Sequence, residues 1–108
     1  NYLNSMRTEL PTLQVLENST EALRAVAHPI RLQIIAILHE SKRLNVSEIF
    51  VKLNIEQAIA SHHLRILKDQ DIVSVRRDGK NAFYTLVDKD YFFIVETILG
   101  LQQNNTNV

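Results

Sequence analysis

The sequence predicts a mainly α-helical domain that carries one small β-hairpin, and three observations lead there. Apolar residues recur at helical spacing through most of the 108 residues. Two short helical patterns, Val46 to Leu53 and Glu56 to about Gln70, are separated by a short turn at Asn54-Ile55. Asp78-Gly79 then divides two strand-like runs, a strong signal for a two-residue hairpin.

Taken in order, Leu3, Met6, Leu10, Leu13 and Leu16 step by three or four, which predicts a first helix with Pro11 kinking it or starting a second segment. Ser19 or Thr20 would cap the next helix, Glu21 to Ala27. His28-Pro29 breaks that helix and starts another, because proline is tolerated in a first turn. From Pro29 to Glu40 the chain is apolar on more than one side, as a central core helix should be. Ser41 to Asn45 reads as a polar connection.

Val46, Ile49, Phe50 and Leu53 form one buried stripe, and Ala60, His63, Leu64 and Leu67 form another. His63 on that stripe is expected to be a packed core histidine. Opposite it lie Gln57, Ala58, Ser61, His62 and Arg65, short and polar near the helix start, a surface able to enter a major groove and meet base edges. An ordinary solvated helix face has the same composition, so this stretch needs the rest of the chain to decide it. Counting outward from Asp78-Gly79 pairs Arg77 with Lys80, Val75 with Ala82 and Val73 with Tyr84, which leaves one apolar face and puts Arg76, Arg77, Lys80 and Asn81 at the tip. Like charges facing one another would cost stability; a phosphate between Arg77 and Lys80 would relieve the repulsion, as would two solvated side chains that splay apart. Asp88 caps a closing helix, Lys89 to about Gln102, whose Tyr91, Phe92, Phe93, Ile94, Val95, Ile98, Leu99 and Leu101 leave little polar face.

Such a helix needs a partner, and a twofold dimer through the terminal helices supplies one. Its interface would hold Leu10, Leu13, Leu16, Tyr91, Ile94, Val95, Ile98 and Leu99. The expected organisation is a single domain over residues 1–102: a dimerisation helix at 1–18, a helix-turn-helix at 46–70, a β wing at 72–87 and a second dimerisation helix at 88–102, followed by a disordered tail at 103–108. That element order is a winged helix-turn-helix.

Composition narrows the function. Net charge is zero, which argues against indiscriminate coating of nucleic acid. Residues 57–81 nevertheless carry a net of +2 and residues 82–108 a net of −2, so the positive excess sits on the proposed reading surface. With no cysteine, disulfides, thiolate metal sites and thiol redox switches are excluded. No apolar run approaches the ~18 residues of a membrane span, and a soluble cytoplasmic protein without membrane contact is expected. No Gly-rich phosphate loop, nucleophile elbow or acid pair is present, and His62-His63 point about 100° apart on a helix, so the chain is not read as an enzyme.

Three segments carry a family resemblance: Ala25-Val26-Ala27-His28-Pro29-Ile30-Arg31-Leu32, the run from Ile55 to Leu67, and Gly79 to Leu86. In this order and spacing the chain resembles the ArsR/SmtB family of bacterial transcriptional regulators over about residues 20–100. The resemblance implies a homodimer that binds a roughly palindromic double-stranded operator, most often as a repressor, and releases it when an effector binds. By position, Gln57, Ser61 and His62 would face bases, Ala58 and Ile59 would touch thymine methyls, Ser47 and Arg65 would contact phosphate, and Arg77 and Lys80, with Arg76 beside them, would follow the minor groove. Glu56 departs from the family's serine cap, so affinity could be lower or the helix could begin at Asn54. The family's thiolate site corresponds to Leu44 to Ile49, which holds no cysteine. Its other site needs a histidine on the closing helix, where only Asp88, Asp90 and Glu96 occur and no histidine follows His63. No metal or other cofactor is therefore expected at a familiar site, and the effector stays open, including a small molecule against Tyr91 to Phe93. The competing reading is a winged-helix module that docks a protein partner and does not bind DNA.

Overall fold

The structure, a computed structural model, describes residues 10–106. In chain order these form α1 (Leu13–Val26), α2 (Pro29–Ser41), β1 (Leu44–Asn45), α3 (Val46–Leu53), α4 (Gln57–Asp69), β2 (Val73–Asp78), β3 (Asn81–Leu86) and α5 (Asp90–Thr106).

The first helix differs from the expected pair of segments. Thr12 caps α1, accepting from the Val15 amide at 3.3 Å, and Pro11 precedes the cap. The helix then runs unbroken past Ser19 and Thr20, whose hydroxyls donate to the Val15 and Leu16 carbonyls at 2.7 and 2.8 Å. A hydroxyl can bond four residues back inside a helix as readily as it caps one, and here it does the former. The part of the expected helix before Leu10 lies outside the described residues. At the far end His28 caps α2, its Nδ1 accepting from the Ile30 amide at 3.0 Å, with Pro29 in the first helical position. Arg31 reaches back from α2 to the last carbonyls of α1, donating through Nε to Ala25 at 2.5 Å and through Nη2 to Arg24 at 3.3 Å. A cation at a helix C-terminus also complements its dipole.

Helix α2 runs through the core, with Ile34, Ile35 and Leu38 fully buried. Around it pack α4, α5, α3 and the sheet. The presumed polar connection after α2 contains a strand: Leu44 pairs with Tyr84 and Asn45 with Phe83, giving a three-stranded antiparallel sheet in the order β1-β3-β2. Two residues are too short for any alternation to show in sequence. Asn45 also caps α3 in a full capping box, accepting from the Glu48 amide at 2.8 Å while its own amide donates to Glu48 at 2.9 Å.

The hairpin register differs from the count made from Asp78-Gly79. Asp78 pairs with Asn81, Arg77 with Ala82 and Val75 with Tyr84, so the loop residues are Gly79 and Lys80. Gly79 has φ +65° while Lys80 keeps a negative φ. Glycine at the first loop position followed by an ordinary residue is the type II′ pattern, which suits the twist of the strands as well as the type I′ turn that Asp-Gly would make. The register moves by two in total, so side-chain parity is preserved and Val73, Val75, Ala82 and Tyr84 still share a face. Arg77 and Lys80 do not oppose one another.

The closing helix is longer than expected, continuing to Thr106, so the tail anticipated from residue 103 is helical for its first four residues. The side chain of Asp88 accepts from the Asp90 amide at 2.9 Å. One interface residue is reassigned: Val95 is 1% exposed and belongs to the protomer's own core, because a helix apolar on all sides gives no sequence signal for which stripe faces inward.

Candidate nucleic-acid interface

The two helices of the pair are joined by Asn54, Ile55 and Glu56. Asn54 ends α3 in the left-handed conformation, φ 54° and ψ 51°, with its amide bonded to Phe50 and Val51 carbonyls. Asparagine adopts this conformation more cheaply than residues other than glycine. Helix α4 therefore cannot begin at Asn54. It begins after Glu56, which sits at the cap without a side-chain hydrogen bond.

From there the four buried residues of α4 are Ala60, His63, Leu64 and Leu67, the stripe expected from spacing. Fully burying a leucine is worth about 1.5–3 kcal/mol, so this stripe fixes the helix's rotation about its own axis. With the rotation fixed, Gln57, Ala58, Ser61, His62 and Arg65 are exposed together, and Ile59 is 39% exposed beside them. Ser47, at the start of α3, is exposed, as are Arg76, Arg77 and Lys80 on the wing. The surface presents an amide, a hydroxyl and an imidazole between guanidinium and ammonium groups, donors and acceptors flanked by cations.

Behind this surface lies a cluster that spacing alone does not disclose. Arg31 Nη1 donates to His63 Nδ1 at 3.1 Å, and the His28 and His63 rings lie 4.3 Å apart. A guanidinium has no acceptor, so His63 Nδ1 must be unprotonated. Burial, and then the neighbouring His28, Arg31 and His62, push the His63 pKa below its ordinary value. The histidine expected in the core is there, with a polar partner that joins α1, α2 and α4.

Arg43 is the other residue that sequence reading passed over. It lies just before β1, with its guanidinium carbon 3.8 Å from the centre of the Phe83 ring and Nη2 3.5 Å from Asp78 Oδ2. Arg76 pairs with Phe83 across the hairpin, and the Ser74 and Thr85 hydroxyls lie 3.0 Å apart further along the same face.

The expected dimer residues of the terminal helices divide by exposure. Leu10, Leu13, Leu16, Ile94, Ile98 and Leu99 are exposed, Tyr91 is half-buried, and Leu23 and Leu101 join the exposed apolar set. Among the described residues no helix is long and apolar enough to cross a membrane, and no three His, Asp or Glu side chains gather as a metal site.

Residues 28–75 match the family model described as bacterial regulatory protein, arsR family. Over 85 residues the chain is 38% identical to the HTH-type transcriptional repressor SmtB of Mycobacterium tuberculosis, which covers 79% of this chain. The chain spans 62% of that relative's length. The transcriptional repressor PagR of Bacillus anthracis is 34% identical over 87 residues, covering 81% of this chain and 87% of PagR. The PagR crystal structure resembles this fold with a TM-score of 0.73 at 29% identity, over 81% of this chain and 99% of that one. HlyU from Vibrio cholerae, described as a transcriptional activator, has a TM-score of 0.73 at 28% identity, over 83% and 97% of the two chains.

Proposed function

Because the chain belongs to the arsR family of bacterial regulatory proteins, we propose that it is a homodimeric, sequence-specific DNA-binding regulator that represses transcription from a palindromic operator in the cytoplasm. The observation that carries this reading is the shared exposure of Gln57, Ser61 and His62 opposite the buried stripe of α4. Gln57 pairs bidentately with adenine, Ala58 and Ile59 meet thymine methyls, and Ser61 and His62 take neighbouring base edges. Ser47 and Arg65 hold phosphates, and Arg76, Arg77 and Lys80 carry the wing along the adjacent minor groove.

The dimer reading is supported by Leu13, Leu16 and Leu23 on α1 and Ile94, Ile98 and Leu99 on α5, large apolar side chains 41–70% exposed in the single chain. A patch of that kind marks an interface. SmtB and PagR are named repressors, which supports the repressor reading. With no cysteine, these 108 residues supply no thiolate for a soft metal.

Selection of bound duplexes from a random DNA pool tests the proposal. The expected product is a palindrome with half-sites one or two helical turns apart. If the dimer touches about 6–10 phosphates, affinity falls by roughly 10³–10⁵ between about 50 and 200 mM salt. A pool that returns no enriched sequence, with no duplex retained even at low salt, overturns the reading in favour of a protein-docking module.

A further inference from the structure

We propose that Arg43 is an additional phosphate-binding residue, one that extends the DNA contact from the wing tip onto the outer face of the wing sheet and is held in check by Asp78. The inference rests on the DNA-binding reading and deepens it.

Strand geometry places Arg43 on this face. Side chains alternate along a strand, and Leu44 is buried while its partner Tyr84 packs on the core. Arg43, Asn45 and Phe83 therefore belong to the opposite side of the sheet. Arg76 joins them there, since it pairs directly with Phe83. The result is an open groove of about 830 Å³ whose lining includes Arg43, Arg76, Asp78, Phe83, Ser74 and Thr85, with Val75 and Arg77 also contributing. Two guanidinium groups, Arg43 and Arg76, share this face with one carboxylate, and Arg77 borders the groove from the neighbouring strand position. The Phe83 ring beneath its guanidinium carbon attracts Arg43 without using any of its N–H donors.

The ion pair between Arg43 and Asp78 is loose. Arg43 and Asp78 are 3.5 Å apart, with side chains 53% and 69% exposed, a separation and exposure at which solvent screens the attraction. A phosphate can replace that carboxylate. A polyanion suits the groove better than a single small anion, because the cations are strung out: Lys80 lies at the hairpin tip, Arg76 and Arg77 along β2, and Arg43 beside the strand leading to Ser47. A duplex backbone offers charges at regular intervals along such a line.

The test is a salt titration of fluorescent operator and random-sequence duplexes with the full chain, its Arg43→Ala and Asp78→Asn variants, and the double variant, all first matched by circular dichroism and melting. Arg43→Ala should make the log K against log salt slope shallower by about 0.9 per protomer and weaken operator and random duplex alike. Asp78→Asn should tighten binding several-fold, and most of that gain should vanish when Arg43 is already alanine. A gain of the same size in both backgrounds, or an unchanged slope in Arg43→Ala, overturns the inference while leaving the DNA reading intact. Failure of the unmutated chain to hold any duplex at low salt removes both.

Discussion

Arg31 donates to His63 Nδ1 at 3.1 Å, and the same guanidinium holds the last carbonyls of α1. Three helices thus meet at a bond that exists only while one imidazole is neutral. His28 uses its own Nδ1 to accept from the Ile30 amide. His63 has its pKa lowered in the fold, chiefly by burial and further by His28, Arg31 and His62. The unfolded chain therefore takes up this proton at a higher pH than the native one does. The stability involved is fully present above the ordinary histidine pKa of 6.5 and is lost as pH falls through the lowered value. Urea midpoints measured from about pH 8 down to about pH 5 should decline on the acid side, by at most about 1.4 kcal/mol per pH unit for one proton. His63→Gln should flatten that decline; an unchanged slope would move the effect to another group.

Gln57 and Lys80 should separate in their effects on DNA. Alanine at Gln57 removes a base-directed amide and should cost about 1–3 kcal/mol of discrimination at one position of the operator. Alanine at Lys80 should weaken all sequences equally. Comparing operator with single-base variants measures both, and a reversal of the two patterns would move the reading contact away from α4.

On the closing helix, two neighbouring apolar residues should fail in different ways. Ile98 is 49% exposed and Val95 is 1% exposed. A glutamate at Ile98 should leave a folded protomer that sediments as a monomer. An alanine at Val95 should lower unfolding stability by on the order of 2 kcal/mol and leave any self-association per folded chain unchanged. Sedimentation together with denaturant titration tells these apart.

The turn makes a narrower prediction. A side chain at Gly79 would meet nothing within 4 Å, so the obstacle to substitution is its φ of +65° alone. Gly79→Ala should cost roughly 1–2 kcal/mol, and Gly79→Asn less. Equal melting temperatures for Gly79→Ala and the unmodified chain would show that the turn relaxes to another type.

What the sequence disclosed and what it withheld follow from the range of the interactions concerned. The stripe Ala60, His63, Leu64, Leu67 was legible because helical periodicity is local, and the exposure of Gln57, Ser61 and His62 followed from it. The wing was legible as a hairpin and its apolar face was correct. Its register was misplaced because Asp-Gly and Gly-Lys are both acceptable loops, and the choice between them is made by pairing along the whole strand. Ser19 and Thr20 misled because a hydroxyl serves a cap and a helix interior alike. Strand β1, Arg43 and the Arg31 bond were invisible for one reason: each depends on a partner at least 32 residues away, and neither composition nor spacing encodes such a distance.

Asn45 stands in the ladder opposite Phe83 and at the same time closes the first turn of α3. No slack residue separates ribbon from helix, so a twist applied to the hairpin arrives as torque at the root of the helix pair. On the DNA-binding reading, a duplex that displaces the wing should therefore also turn the root of the helix pair, and groove width outside a half-site should bear on how well that half-site fits.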